Sequence, residues 1–173
     1  MPKYDPNIHH RRSIRLKGYD YTREGLYYIT LVTKNRSCFF GKIVDGKMIL
    51  NDCGEIANEC WLEIPAHFPN VILHEHIIMP NHVHGIIELT TAGTAGTRNI
   101  VPQTGSQINQ FSKPIPGSVS VIIQQYKASV TRIINKNNLE HFQWQSRFYE
   151  HIIRNETSYR NIANYIKKNP ENW

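Results

Sequence analysis

The chain predicts an α+β fold, an antiparallel β-sheet with its helices packed mainly on one face, from three features of its sequence. Apolar residues follow the two-residue repeat of strands and the roughly 3.6-residue repeat of helices in the order strand, hairpin, helix, two strands, helix, strand, helix. One run, Leu26 to Thr33, is dense in aromatic and β-branched side chains that suit a half-buried pleated surface. The chain has 173 residues, which fits a single domain spanning 1–173 with a real core.

Residues 1–25 form a basic N-terminal arm with little apolar periodicity, so the arm is expected to lie along another surface rather than make its own core. After the Leu26–Thr33 strand, Phe39-Phe40-Gly41 and Lys47-Met48-Ile49-Leu50 flank Asp45-Gly46, a pair suited to the positive φ angles of a tight hairpin turn. Asn51 or Asp52 can cap a helix whose residues Ile56, Ala57, Cys60, Trp61 and Ile64 share one face and which ends before Pro65. Val71 to Ile78 and Val83 to Leu89 are two further strands, separated by Met79-Pro80-Asn81. Residues 90–117 are rich in Thr, Gly, Ser and Pro and predict a long mobile connection. Ser118 to Asn135 carries an apolar stripe from Val119 to Ile134 and predicts the second long helix. Phe148 to Ile153 is then extended, and Glu156 to Lys168 is helical up to Asn169-Pro170.

Lys and Arg number 20 against 14 Asp and Glu, a formal charge of +6 that favours a polyanion such as nucleic acid as partner; the alternative is a basic protein with scattered charge. Cys38, Cys53 and Cys60 are odd in number and lack zinc-site spacing, so they are expected to be reduced thiols. No apolar run approaches the roughly 18 residues of a membrane span, and no apolar segment follows the basic start. A soluble cytoplasmic protein is expected, with no membrane partner.

His82-Val83-His84 lies at the start of a strand, where residues two apart project to one face, so both imidazoles can approach one metal ion while Val83 turns to the core. Gly85 beside them admits a close-packed backbone, ligand or helix. Two ordinary histidines would show the same spacing, so a third member is needed. His9-His10 are adjacent and point apart. His74 and His76, two apart on the preceding strand, are expected to share a face, either as polar surface positions or with one beside the active site. Tyr165 and Asn169 are four apart on the last helix and are expected on one face, though a core aromatic and a helix C-cap fit those positions too. Tyrosine is a weak nucleophile at its free pKa near 10, so it needs a phosphorus whose charge a metal draws off.

These residues together resemble the single-tyrosine HUH transposases, in the IS200-like branch of REP-associated tyrosine transposases. The resemblance covers nearly the whole chain. It rests on Arg11-Arg12-Ser13-Ile14-Arg15-Leu16 with Gly18-Tyr19-Asp20-Tyr21, on Ile78-Met79-Pro80-Asn81-His82-Val83-His84-Gly85, on Trp144-Gln145 with Phe148-Tyr149-Glu150-His151-Ile152-Ile153-Arg154-Asn155, and on Tyr165-Ile166 with Asn169-Pro170. It implies a ferredoxin/RRM-like HUH nuclease fold in a bacterial protein, nucleoid-associated when DNA-bound, with Mg or Mn held by His82, His84 and Asn169; related insertion-sequence transposases carry Gln at that last position. It also implies that Tyr165 attacks a DNA phosphate to give a 5′-phosphotyrosine and a free 3′-OH, acting at repeat hairpins.

The DNA expected is single-stranded or hairpin. Arg11, Arg12, Arg15 and Lys17 can neutralise phosphates, and Tyr19 and Tyr21 can stack on unpaired bases. Arg147 and Arg154 are assigned to DNA or to structural ion pairs, and Trp144 to packing. The chain is expected to be a monomer or homodimer. Two other readings stay open: a noncatalytic DNA-binding module on the same scaffold, and a metal-dependent hydrolytic nuclease in which Tyr165 is structural.

Overall fold

The computed structural model describes residues 22–90, 115–137, 139 and 141–173. Strands β1 (Gly25–Val32), β4 (Val71–Met79), β5 (His82–Leu89) and β6 (Tyr149–Ile153) make one antiparallel sheet in the order β4-β5-β1-β6. β1 begins at Gly25, so the end of the expected arm belongs to the sheet, with the Tyr27 hydroxyl donating to the Arg23 carbonyl at 2.8 Å. β2 (Gly41–Val44) and β3 (Lys47–Leu50) form the separate hairpin, and Asp45 and Gly46 take φ of 49° and 69° at its turn. The predicted α+β architecture is the observed one.

Helix α1 (Asp52–Leu62) starts at Asn51, whose side chain accepts from the Gly54 amide. Pro65 does not simply stop the helical region. It sits in the first turn of a short second helix, α2 (Ile64–His67), where its missing N–H costs nothing. Helix α3 (Val119–Lys136) is capped by Ser118, and α4 (Glu156–Lys167) by Asn155.

Alternation along the strands divides the apolar residues between two layers. Tyr27, Ile29 and Leu31 of β1 and Val83, Ile87 and Leu89 of β5 pack with Trp61 of α1 and with Ile122, Ile123, Tyr126 and Val130 of α3. Tyr28, Ile86 and Ile153 face the other way and pack with Ala163 and Ile166 of α4. Helices α1 and α3 thus cover one face, and among the described residues α4 covers part of the opposite face. Trp61 explains Gly85: a Cβ there would lie 2.2 Å from the indole ring, so glycine lets α1 close onto β5.

The expectation that His74 and His76 share a face is overturned. Pairing passes from Leu73↔Ile87 to His76↔Gly85, so two residues of β4, His74 and Glu75, stand opposite one of β5. This bulge resets the alternation. His74 meets Tyr159 and Glu88 on the α4 side, whereas His76 bonds Asn58 and stacks on Trp61 on the α1 side.

Candidate metal centre and nucleophile

His82 and His84 project from the start of β5 on the sheet face that α4 covers, with ring centroids 4.5 Å apart. Their backbone partners across β1 are Val32 and Thr30. Val83, between them, is fully buried in the opposite layer.

Each imidazole is held from behind through Nδ1. The Asn81 amide donates through Nδ2 to the Arg36 carbonyl at 3.0 Å, which turns its Oδ1 toward His82 Nδ1, 2.8 Å away. An amide oxygen only accepts, so His82 carries its proton on Nδ1 and presents the Nε2 lone pair to the site. His84 Nδ1 lies 2.7 Å from the Tyr28 hydroxyl and 2.9 Å from the Thr30 hydroxyl, either of which can accept an Nδ1–H. Such partners, set behind a ligating imidazole, orient it and raise its basicity.

Burial lowers the pKa of both histidines. It takes His84 to about 3, with the neighbouring His82 adding to the effect. For His82 burial is again the main cause, opposed by a side-chain hydrogen bond with Asn169 and reinforced by nearby Arg36. Burial also pushes the Tyr28 phenol up to about 12, so the hydroxyl behind His84 stays protonated.

The last helix stops before Asn169-Pro170, as expected. The helix ends at Lys167, Lys168 caps it, and Asn169 opens a 3-10 turn over Asn169–Asn172. Pro170 has no N–H for an α-helical bond, and its ring disfavours α geometry at the preceding residue. The tighter turn nevertheless buries Asn169 with its side chain at His82. Tyr165 lies at the edge of the face through which α4 meets the sheet. Its ring centroid is 5.4 Å from that of His84 and its side chain is 52% exposed.

Two imidazole nitrogens and an amide oxygen form a neutral donor set that fits one divalent ion with coordination positions to spare. Among the described residues no group of three or more His, Cys, Asp and Glu side chains could hold a metal, so this set depends on the Asn169 amide.

α4 is tied to β4 at two points. Tyr159 bonds His74, which pairs with Glu88, and Lys167 Nζ lies 3.0 Å from Glu75 Oε1. Both anchors on β4 are residues of the bulge.

Arg147 and Arg154 are exposed beyond the two ends of β6, and neither is ion-paired with a carboxylate among the described residues. Trp144 packs with Phe40, Phe142 and Tyr126, as its packing assignment required. Arg11, Arg12, Arg15, Lys17, Tyr19 and Tyr21 lie outside the described residues, as do 91–114 of the expected mobile connection. Among the described residues no helix is long and apolar enough to cross a membrane. Cys38 is exposed, Cys53 and Cys60 are buried, and all three are free thiols.

Sequence reasoning missed Tyr28, Thr30, Asn81 and Trp173. Tyr28 and Thr30 carry the alternation that puts them on one face, but only strand pairing sets them behind His84. Asn81 directly precedes the histidine it holds, and the turn beginning at Asn169 brings the Trp173 ring to 5.7 Å from His82.

No family model matches the chain. A Haemophilus influenzae protein of uncharacterised function is 45% identical over 172 residues, covering 99% of this chain and 94% of the relative. A second Haemophilus influenzae protein, provisionally named a REP-associated tyrosine transposase, is 25% identical over 154 residues, covering 87% of this chain and 73% of the relative. The solved structure of a REP-associated tyrosine transposase bound to a REP hairpin superposes with a TM-score of 0.57 at 21% identity, over 92% of this chain and 74% of that one. In fold the chain is similar to the REP-associated tyrosine transposases.

Proposed function

We propose that the chain is a metal-dependent transesterase of single-stranded DNA that cleaves and rejoins strands at repeat hairpins. The observation that carries this reading is the convergence of an exposed phenol on two imidazoles oriented through Nδ1, one of them fixed in tautomer by the Asn81 amide. The REP-associated tyrosine transposase of similar fold, solved bound to a REP hairpin, supports the substrate class.

His82, His84 and Asn169 would hold Mg or Mn, which supplies Lewis-acid polarisation of phosphate oxygens. The chain's own groups do the rest. Buried, neutral imidazoles leave their Nε2 lone pairs available, and the anchors between α4 and β4 keep the Tyr165 hydroxyl beside the site. The phenol oxygen forms a bond to phosphorus as the bond from phosphorus to O3′ breaks. The phenol proton passes to solvent, and the departing O3′ takes up a proton. The products are a 5′-phosphotyrosine and a 3′-OH, and the reverse attack rejoins the strand.

Covalent trapping tests this reading. Wild-type protein incubated with Mn and a single-stranded hairpin should give a denaturation-resistant protein–DNA adduct, whereas Tyr165→Phe and His82→Ala should give none. The Phe variant should lose less than about 0.5 kcal/mol of stability, because only an exposed hydroxyl is removed. Cleavage by Tyr165→Phe at the wild-type rate would assign the attack to water or another residue and refute the mechanism.

A further inference from the structure

Three of the exposed large hydrophobic side chains are aromatic: Tyr149, Tyr165 and Trp173, at 44%, 52% and 53% exposure. Trp173 and Tyr165 lie against the histidine pair, and Tyr149 lies in the sheet row of His84, beyond Thr30. Tyr165 has its role in the proposed chemistry, and the other two have none. Trp173 follows the 3-10 turn that begins at Asn169, and that turn is braced by the buried Pro170 and by Asn172 Nδ2 donating to the Lys168 carbonyl at 2.8 Å. Its ring lies 5.7 Å from the His82 ring at an interplanar angle of 31°. One side of the indole therefore rests on a metal-site imidazole while much of the ring remains open to solvent.

Tyr149 projects from β6 on the same sheet face as the pair. It is the cross-strand partner of Thr30, which is itself the partner of His84, so these side chains form one row across the sheet. Two strand spacings, about 10 Å, separate Tyr149 from β5 along that row. Its ring meets Tyr28 edge-on at 6.3 Å. Leaving two aromatic rings half in water at one site gives up burial free energy. A polyanion supplies ligands for such rings, because every unpaired base has a π-face.

We propose that Trp173 and Tyr149 are stacking platforms for the unpaired bases on either side of the phosphate that Tyr165 attacks. This rests on the single-strand DNA reading above. The platforms hold the strand by its bases on both sides of the reacting phosphate, largely independent of sequence.

The test compares two probes of equal charge on the Tyr165→Phe background, where no cleavage occurs: a thymidine homopolymer about 12 nucleotides long, within the usual span of single-strand sites, and a deoxyribose-phosphate chain of the same length without bases. Binding is read by fluorescence anisotropy across a salt series. Trp173→Ala should weaken homopolymer binding about tenfold and leave binding of the baseless chain unchanged, and Trp173→Phe should retain most of the affinity. Tyr149→Ala should behave like Trp173→Ala. The salt slope should not move, because it counts phosphate contacts. If the alanine variants weaken both probes equally, or neither, the platforms are refuted and the DNA reading stands. If the parent protein binds neither probe, both ideas fall.

Discussion

Replacing Tyr28 with Phe removes one hydroxyl from behind His84 and leaves the ring in place. The hydroxyl lies 2.7 Å from His84 Nδ1, and the Thr30 hydroxyl lies 2.9 Å from the same nitrogen. Binding a metal through Nε2 requires the proton on Nδ1, where either hydroxyl can accept it. With both removed, that N–H is buried without a partner and the productive tautomer loses its advantage. Loss of such supporting partners lowers metal affinity about 10- to 100-fold. Because Thr30 remains in Tyr28→Phe, the single variant should fall near tenfold, and Tyr28→Phe with Thr30→Val near 100-fold. Stability should drop by about 0.5–1.5 kcal/mol for the buried hydrogen bond. The assay is calorimetric titration of Mn into each variant at neutral pH, with circular dichroism to confirm the fold and a double-mutant cycle for the coupling between the hydroxyls. Wild-type Mn affinity in the folded double variant would refute the view that these hydroxyls orient a metal ligand.

Gly85→Ala forces a Cβ to within 2.2 Å of the Trp61 ring, which is fully buried and cannot swing away. Thermal unfolding should show a loss of about 1–3 kcal/mol, and an unchanged Tm would show that the contact is slack. Burial lowers the His84 pKa from 6.5 to about 3, so between those values the unfolded chain binds more protons than the native one and stability falls with falling pH. The loss from His84 approaches about 1.4 kcal/mol per pH unit, and urea unfolding of metal-free protein between about pH 6.5 and 5 measures it before carboxylates titrate. His84→Gln should flatten that dependence; equal slopes in the two proteins would exclude His84 as its source. In the N-terminal arm, replacing Arg11, Arg12 and Arg15 with Ala should reduce the slope of log affinity against log salt by about 2 for single-stranded DNA. An unchanged slope would show that those arginines do not contact phosphates.

The sequence by itself determined the element order, the hairpin turn at Asp45-Gly46, a helix cap at Asn51 or Asp52 and the burial of Val83 between two co-facial histidines. These are local properties, set by φ preferences, by cap hydrogen bonds and by side-chain alternation over a few bonds. Gly85 was legible as a close-approach position, but not as the seat of Trp61, which comes from another element. Only the tertiary structure decided that His74 and His76 face opposite ways, because a bulge arises from how two strands pair and leaves no mark in the spacing of one. It likewise decided which groups stand behind His82 and His84. Thr30 meets His84 through strand register, and Asn81 is turned toward His82 by the carbonyl of Arg36, 45 residues earlier in the chain. The helix end before Asn169-Pro170 was legible from the proline, but the 3-10 turn that follows it was not. Asn169 still reaches His82, because α4 is anchored to β4 by contacts between residues far apart in sequence, and no reading of local periodicity contains those.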